Sequence, residues 1–123
     1  MTKVNPIVSI VCTVYNQAAF LDACLYSVKI QTYPYIQLIV IDNGSTDNSS
    51  ILLTSWQRIY PTLQLIQNSE NKGLCKAFNQ GLALAAGKYI IDLSADDVLF
   101  PNRVAEQVQF FESLPERVGI IPS

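Results

Sequence analysis

Histidine does not occur among the 123 residues of this chain. Its absence removes Ser-His-Asp and Cys-His nucleophile systems from within the chain, together with every histidine-based zinc site. Acid–base work would fall to carboxylates, lysine or tyrosine. Basic clusters are missing as well, and the formal net charge is -2 at pH 7. No stripe of lysine and arginine is present to grip nucleic acid or an anionic membrane. Apolar runs never exceed strand length, as in Ile7 to Val14 and Leu38 to Ile41, so no segment spans a bilayer and no signal-peptide core stands at the N-terminus. The three cysteines, Cys12, Cys24 and Cys75, lack CxxC spacing and read as buried reduced thiols of a cytoplasmic protein. In that compartment the sequons at Asn43 and Asn48 carry no meaning. Phosphate-loop and dinucleotide signatures (GxxxxGK[ST], GxGxxG) are also absent.

What the chain does have is alternation. Apolar content of 50% is enough for the core of a single domain over residues 1–123. Strand patterns at Ile7–Thr13, Ile36–Ile41, Leu63–Gln67 and Tyr89–Leu93 alternate with helical ones. The expected helices are Ala18–Ile30 (Leu21, Leu25, Val28 inward), Asn48–Tyr60 (Leu52, Trp56, Ile59) and Lys72–Ala86 (Leu74, Phe78, Leu82). A fourth begins at Pro101, with Val104, Val108 and Phe111 on its face, and a last strand starts near Val118. Such alternation predicts an α/β domain: an open, mostly parallel sheet with right-handed crossovers and helices on both faces.

Parallel strands share one carboxyl edge, where open α/β sheets bind ligands. Just past the four strands stand Thr13 to Gln17, Asp42 to Ser45, Asn68 to Gly73, and Ser94 to Asp97. Four polar clusters therefore converge on one crevice. Tyr15 offers a face on which a planar base could stack, although strand-end tyrosines commonly just rim a core. Asp42 only accepts hydrogen bonds, which suits an imide N–H or a ribose hydroxyl. Helix capping is its bland alternative, but Thr46 and Asp47 are better placed for that, leaving Asp42 without a structural task. Lys72 faces phosphate or merely solvent. Asp96 and Asp97 would form a solvated turn in isolation; at a strand's carboxyl end they suit a hard divalent cation that bridges phosphates.

The segments "VSIVCTVYNQAAFLDACLYSVKIQTYP", "IVIDNGSTDNS", "NKGLCKAFNQGLALAAGKYI" and "DD" occur in this order and spacing. Together they resemble the first half of a family 2 glycosyltransferase of the GT-A fold, over nearly the whole chain. The resemblance implies a Rossmann-like nucleotide-sugar-binding part, truncated before the half that holds the acceptor. It implies Thr13, Tyr15 and Asn16 around the base and Asp42 on uracil or its equivalent; Lys72 is counted with them as a nucleotide-sugar-binding candidate. Asp96 would lie near ribose or sugar, and Asp97 on Mn²⁺ or Mg²⁺. The implied partners are a nucleotide-diphosphate sugar, UDP-sugar foremost, and a glycan or other hydroxyl acceptor. Cell-surface glycan synthesis in the cytoplasm or at the inner membrane's face would be the setting. Transfer would be inverting and metal-dependent, with the catalytic base expected beyond Ser123. A non-catalytic nucleotide-binding module is the alternative, and a phosphoacceptor receiver domain fails because Val14-Tyr15 stands where its acid pair belongs. The chain departs from the family at Ser94 (commonly Asp), Gln17 (often Glu), Phe78 (commonly Arg) and Asp92 (usually apolar). A carboxylate inside a buried strand would need a partner or water.

Overall fold

The computed structural model describes residues 5–114. Within them the chain runs β1 (Val8–Val14), α1 (Ala18–Lys29), β2 (Ile36–Asn43), α2 (Ser49–Ile59), β3 (Gln64–Asn68), α3 (Leu74–Leu84), β4 (Tyr89–Ser94) and α4 (Arg103–Glu112). The strand expected from Val118 lies outside the described residues. All pairings are parallel and the strand order is β3-β2-β1-β4. Chain order therefore moves outward from β1 through β2 to β3, then returns to place β4 on β1's other side. A ligand crevice is expected outside the carboxyl ends where that order reverses.

Two apolar clusters show that the sheet is covered on both faces. On one face Val8, Ile10, Cys12 and Val14 of β1 meet Leu21, Leu25 and Val28 of α1, Leu53 and Trp56 of α2, and Val104 and Val108 of α4. On the other, Val11, Ile39 and Ile41 pack with Ala77 of α3. Strand side chains alternate between faces, so consecutive residues of one strand serve different layers.

The helical faces were only partly as periodicity suggests. In α2, Leu53 rather than Ile59 turns inward, and Ile59 is 56% exposed. In α3 the buried residues are Ala77 and Gly81, with Phe78 packed against their cluster as expected, while Leu74 is 69% exposed. Small residues win here because α3 rests its backbone directly on the sheet. A Cβ on Gly81 would lie 2.4 Å from Val11 Cγ1 and 2.8 Å from Ile41 Cδ1, distances no side chain tolerates. Helix α3 begins two residues later than expected, after Gly73, and α4 begins at Arg103 rather than at Pro101. Asp92 finds the water that a carboxylate in this strand needs. It is exposed, because alternation turns Tyr89, Ile91 and Leu93 into the larger cluster and Asp92 to the other face, where α3 packs mainly on β1 and β2. Residual desolvation still pushes its carboxyl above the ordinary range. Of the cysteines, Cys12 and Cys24 are buried and free as expected, but Cys75 is exposed.

Candidate functional site

Strand β2 runs two residues further than its apolar pattern, carrying Asp42 and Asn43 into the sheet. Both side chains are only 2% exposed. Because they are neighbours on a strand, they leave it on opposite faces. Asp42 turns toward α2: Oδ1 accepts from the Ser45 N–H at 3.1 Å, and Oδ2 accepts from the Ser50 hydroxyl. It thus has the structural task that the sequence left unassigned, holding the turn that Gly44 makes at φ +75°. A carboxylate offers about four acceptor positions, so two bonds leave capacity for a further donor.

Asn43 turns toward α3 and fills every hydrogen-bonding position its amide has. Nδ2 donates to Asn71 Oδ1 at 3.0 Å and to the Gly73 carbonyl at 3.4 Å. Oδ1 accepts from the Lys72 N–H at 3.0 Å and from Asn68 Nδ2 at 3.2 Å. Asn68 in turn exchanges two amide bonds with Gln80, at 2.8 and 3.0 Å. This amide network seats the β3–α3 loop beside Gly44, which is why position 44 has no side chain. A Cβ there would stand 2.4 Å from the Glu70 carbonyl carbon. Asn43 stood in the Asp42 to Ser45 cluster but was given no role, because a lone strand-end asparagine carries no periodic signal and its partners lie in another loop.

The β1–α1 loop is tied to the β2–α2 loop with similar thoroughness. Asn16, in the left-handed region at φ +51°, accepts through Oδ1 from the Thr46 N–H at 2.7 Å and the Asp47 N–H at 3.2 Å. Its own N–H donates to Ser45 Oγ at 3.1 Å, and Nδ2 to Thr46 Oγ1 at 3.2 Å. Next along, the Gln17 N–H donates to Ser49 Oγ, and the Ala18 N–H to Asp47 Oδ2, each at 3.2 Å. Asp47 also accepts from the Ser49 N–H at 2.9 Å. The Ser49 bonds hold the Asp47 carboxyl below the ordinary range.

Other groups at this edge are unengaged. Tyr15 is 43% exposed just past β1. Thr13, in register with Ile41 on β2 and Ser94 on β4, buries a hydroxyl that has no hydrogen-bond partner. Buried hydroxyls are seldom left that way unless water or a ligand completes them. Past β4 the chain makes a turn closed by the Asp97 N–H and the Ser94 carbonyl at 3.0 Å. Asp96 and Asp97 are both exposed there, and neither is near a helix start that would use it as a cap. Lys72 is exposed, and its ammonium makes no ion pair among the described residues. The structure therefore brings Thr13, Tyr15, Asn16, Asp42, Lys72, Asp96 and Asp97 to one edge of the sheet. Asn16 and Asp42 are already occupied with protein partners.

Among the described residues no group of three histidine, cysteine or acidic side chains gathers as a metal site. Asp96 and Asp97 nonetheless fit a hard cation, which is commonly held by one or two carboxylates plus phosphate oxygens. The glycosyl transferase family 2 model matches residues 9–121. This chain belongs to glycosyl transferase family 2. An uncharacterised glycosyltransferase of Nostoc sp. is 35% identical over 114 residues, which are 93% of this chain and 35% of the relative. The putative teichuronic acid biosynthesis glycosyltransferase TuaG of Bacillus subtilis is 29% identical, covering 89% of this chain and 44% of its own. The family 2 chain thus spans less than half the length of these relatives. Among solved structures, the mannosyltransferase PcManGT of Pyrobaculum calidifontis, in complex with GDP-Man and Mn²⁺, superposes with TM-score 0.82 at 26% identity. The match covers 94% of this chain and 34% of that one. TarS of S. aureus, in complex with UDP-GlcNAc, has TM-score 0.78 at 23% identity over 86% of this chain and 31% of its own. The fold of this family 2 domain is that of the GT-A glycosyltransferases, seen here as its parallel four-stranded part. No helix among the described residues is long and apolar enough to cross a membrane.

Proposed function

We propose that this chain is the donor-nucleotide part of an inverting glycosyltransferase, which moves a sugar from a nucleotide diphosphate to an acceptor hydroxyl. The observation that carries the reading is the unspent chemistry at the carboxyl edge: an orphan Thr13 hydroxyl, the open Tyr15 ring, and unengaged Asp96 and Asp97. Tyr15 stacks on the base, and Asp42 accepts from its imide with the capacity that Ser45 and Ser50 leave free. Lys72 faces the diphosphate, Asp96 the ribose or sugar, and Asp97 holds Mn²⁺ or Mg²⁺. When bound, the cation supplies Lewis-acid stabilisation of charge growing on the departing diphosphate. The GDP-Man and Mn²⁺ in PcManGT support both the donor class and the metal. UDP is the first nucleotide to try, given the UDP-GlcNAc complex of a neighbour with the same fold.

Acceptor binding and the catalytic base are assigned to sequence outside residues 1–123. The 123-residue chain is therefore expected to bind a donor without transferring its sugar. Calorimetric titration with UDP, GDP and dTDP, each with and without Mn²⁺, tests the reading. The expected dissociation constants are roughly micromolar to millimolar. Asp97→Asn should erase the metal-dependent part of the affinity and spare the rest. A metal effect that survives Asp97→Asn moves the cation elsewhere, and no binding of any nucleotide diphosphate refutes the proposal.

A further inference from the structure

We infer that Asn16 is a positioning residue, not a ligand of the base: it is the clamp that sets the spacing between Tyr15 and Asp42. The inference rests on the nucleotide-binding reading above. Tyr15 belongs to the end of β1 and Asp42 to the end of β2, so a base held by both needs their loops in fixed relation. Asn16 supplies that relation. Its Oδ1 gathers the N–H groups of Thr46 and Asp47, and its backbone N–H reaches Ser45 Oγ. Ser45 is the residue whose own N–H is held by Asp42 Oδ1. A continuous path of bonded groups therefore runs from the residue beside Tyr15, through Ser45, to the Asp42 carboxylate.

Two features separate this arrangement from a surface turn that happens to be well bonded. First, Asn16 holds a left-handed backbone at φ +51°, a conformation most residues avoid but asparagine and aspartate tolerate. Second, the amide oxygen is spent: Oδ1 accepts from the Thr46 and Asp47 backbone groups, and one of the two Nδ2 hydrogens goes to Thr46 Oγ1. One Nδ2 hydrogen remains for a ligand, and it is the contact the variants below must exclude.

The conservative variant separates clamp from contact, and the disruptive one shows what losing the clamp costs. Asn16→Asp keeps an acceptor for both N–H groups and tolerates the backbone angle, but loses the NH₂ that a direct contact would use. Asn16→Gly accepts the angle without strain and removes the acceptor altogether. Asn16 is exposed, so both variants are expected to fold. Affinity for a nucleotide diphosphate should be measured at about 0.5 M salt, where the added charge beside Asp47 is largely screened. Amide hydrogen exchange at Thr46 and Asp47 should be read on the same proteins.

The expected result is affinity within about threefold of wild type for Asn16→Asp, and a loss of roughly tenfold or more for Asn16→Gly. Exchange at Thr46 and Asp47 should stay slow in the first variant and become fast in the second. Asn16→Asp binding as weakly as Asn16→Gly while its amides stay protected would overturn the inference and make Asn16 a direct contact. Asn16→Gly with fast amides and wild-type affinity would overturn it the other way, leaving the clamp without function. A wild-type chain that binds no nucleotide diphosphate would instead refute the reading underneath, whatever the exchange pattern.

Discussion

Gly44→Ala should be among the most costly single-methyl additions in this domain, and the cost can be worked from the backbone. Residue 44 stands at φ +75°, where an L side chain costs roughly 1–2 kcal/mol. The new Cβ would also lie 2.4 Å from the Glu70 carbonyl carbon, 2.6 Å from the Asn71 nitrogen and 2.7 Å from Glu70 Cα. These are main-chain atoms, so no rotamer change relieves the contact. Moving them means moving the β3–α3 loop off Asn43, whose Oδ1 receives the Lys72 N–H at 3.0 Å. Overpacking of this kind costs about 1–3 kcal/mol. The sum, about 2–5 kcal/mol, is a large share of the roughly 5–15 kcal/mol that stabilises an ordinary domain. Urea unfolding followed by far-UV circular dichroism should show the midpoint falling by about 1–3 M with an unchanged slope. A loss below about 1 kcal/mol would mean that the two loops do not touch in solution, and the account of position 44 would be wrong.

Asp42→Ala should destabilise as well as weaken nucleotide binding, because it strips the partner from the Ser45 N–H and the Ser50 hydroxyl. Each hydrogen bond to a charged acceptor is worth about 1.5–3 kcal/mol; a melt paired with calorimetry separates the effects, and normal affinity in the folded mutant would leave Asp42 purely structural. Asp92 and Asp47 should show opposite pH signatures in urea titrations. Residual desolvation raises the folded-state pKa of Asp92, so its charged form is disfavoured by folding and stability recovers as pH falls through that pKa. Asp92→Asn should therefore stabilise at neutral pH, with the gain vanishing in acid below the carboxylate range. The bonds from Ser49 lower the folded pKa of Asp47, so its contribution is present above the ordinary carboxylate range and is lost as pH falls through the folded value. Asp47→Asn should destabilise at neutral pH and not in strong acid; the same sign for both variants would contradict the environments described.

Element order and the parallel sheet could be read from sequence because each strand and helix carries a repeating apolar signal. The inward face of α3 was legible at Phe78 but not beyond it. Leu74 and Leu82 are the larger hydrophobes, yet Ala77 and Gly81 face the sheet, because the close approach of α3 rewards small residues over large ones. A run such as Tyr89 to Leu93 gives no sign that α3 lies mainly over β1 and β2, which leaves Asp92 of β4 to water. At the candidate site, the convergence of polar loops followed from parallel topology alone. The engagement of Asn16, Asp42 and Asn43 did not, since their partners lie in other loops. The bond from Asn43 to Asn71 joins residues 28 apart, and no local pattern encodes such a pair.

The N-terminus of α1 has no side-chain cap of its own and no acid in its first turn. Its first free N–H groups, on Gln17 and Ala18, are satisfied by Ser49 and Asp47, which follow 32 and 29 residues later. On the ribosome, this helix should therefore stay unfinished until the start of α2 has emerged. Helices shorter than about 12–15 residues are marginal alone in water, and α1 has 12. The first strand, α1 and the 45–49 loop should then acquire structure as one kinetic event, with α1 trailing its own synthesis. A peptide covering residues 5–34 is expected to show little helix by circular dichroism, and one covering residues 5–60 markedly more per residue.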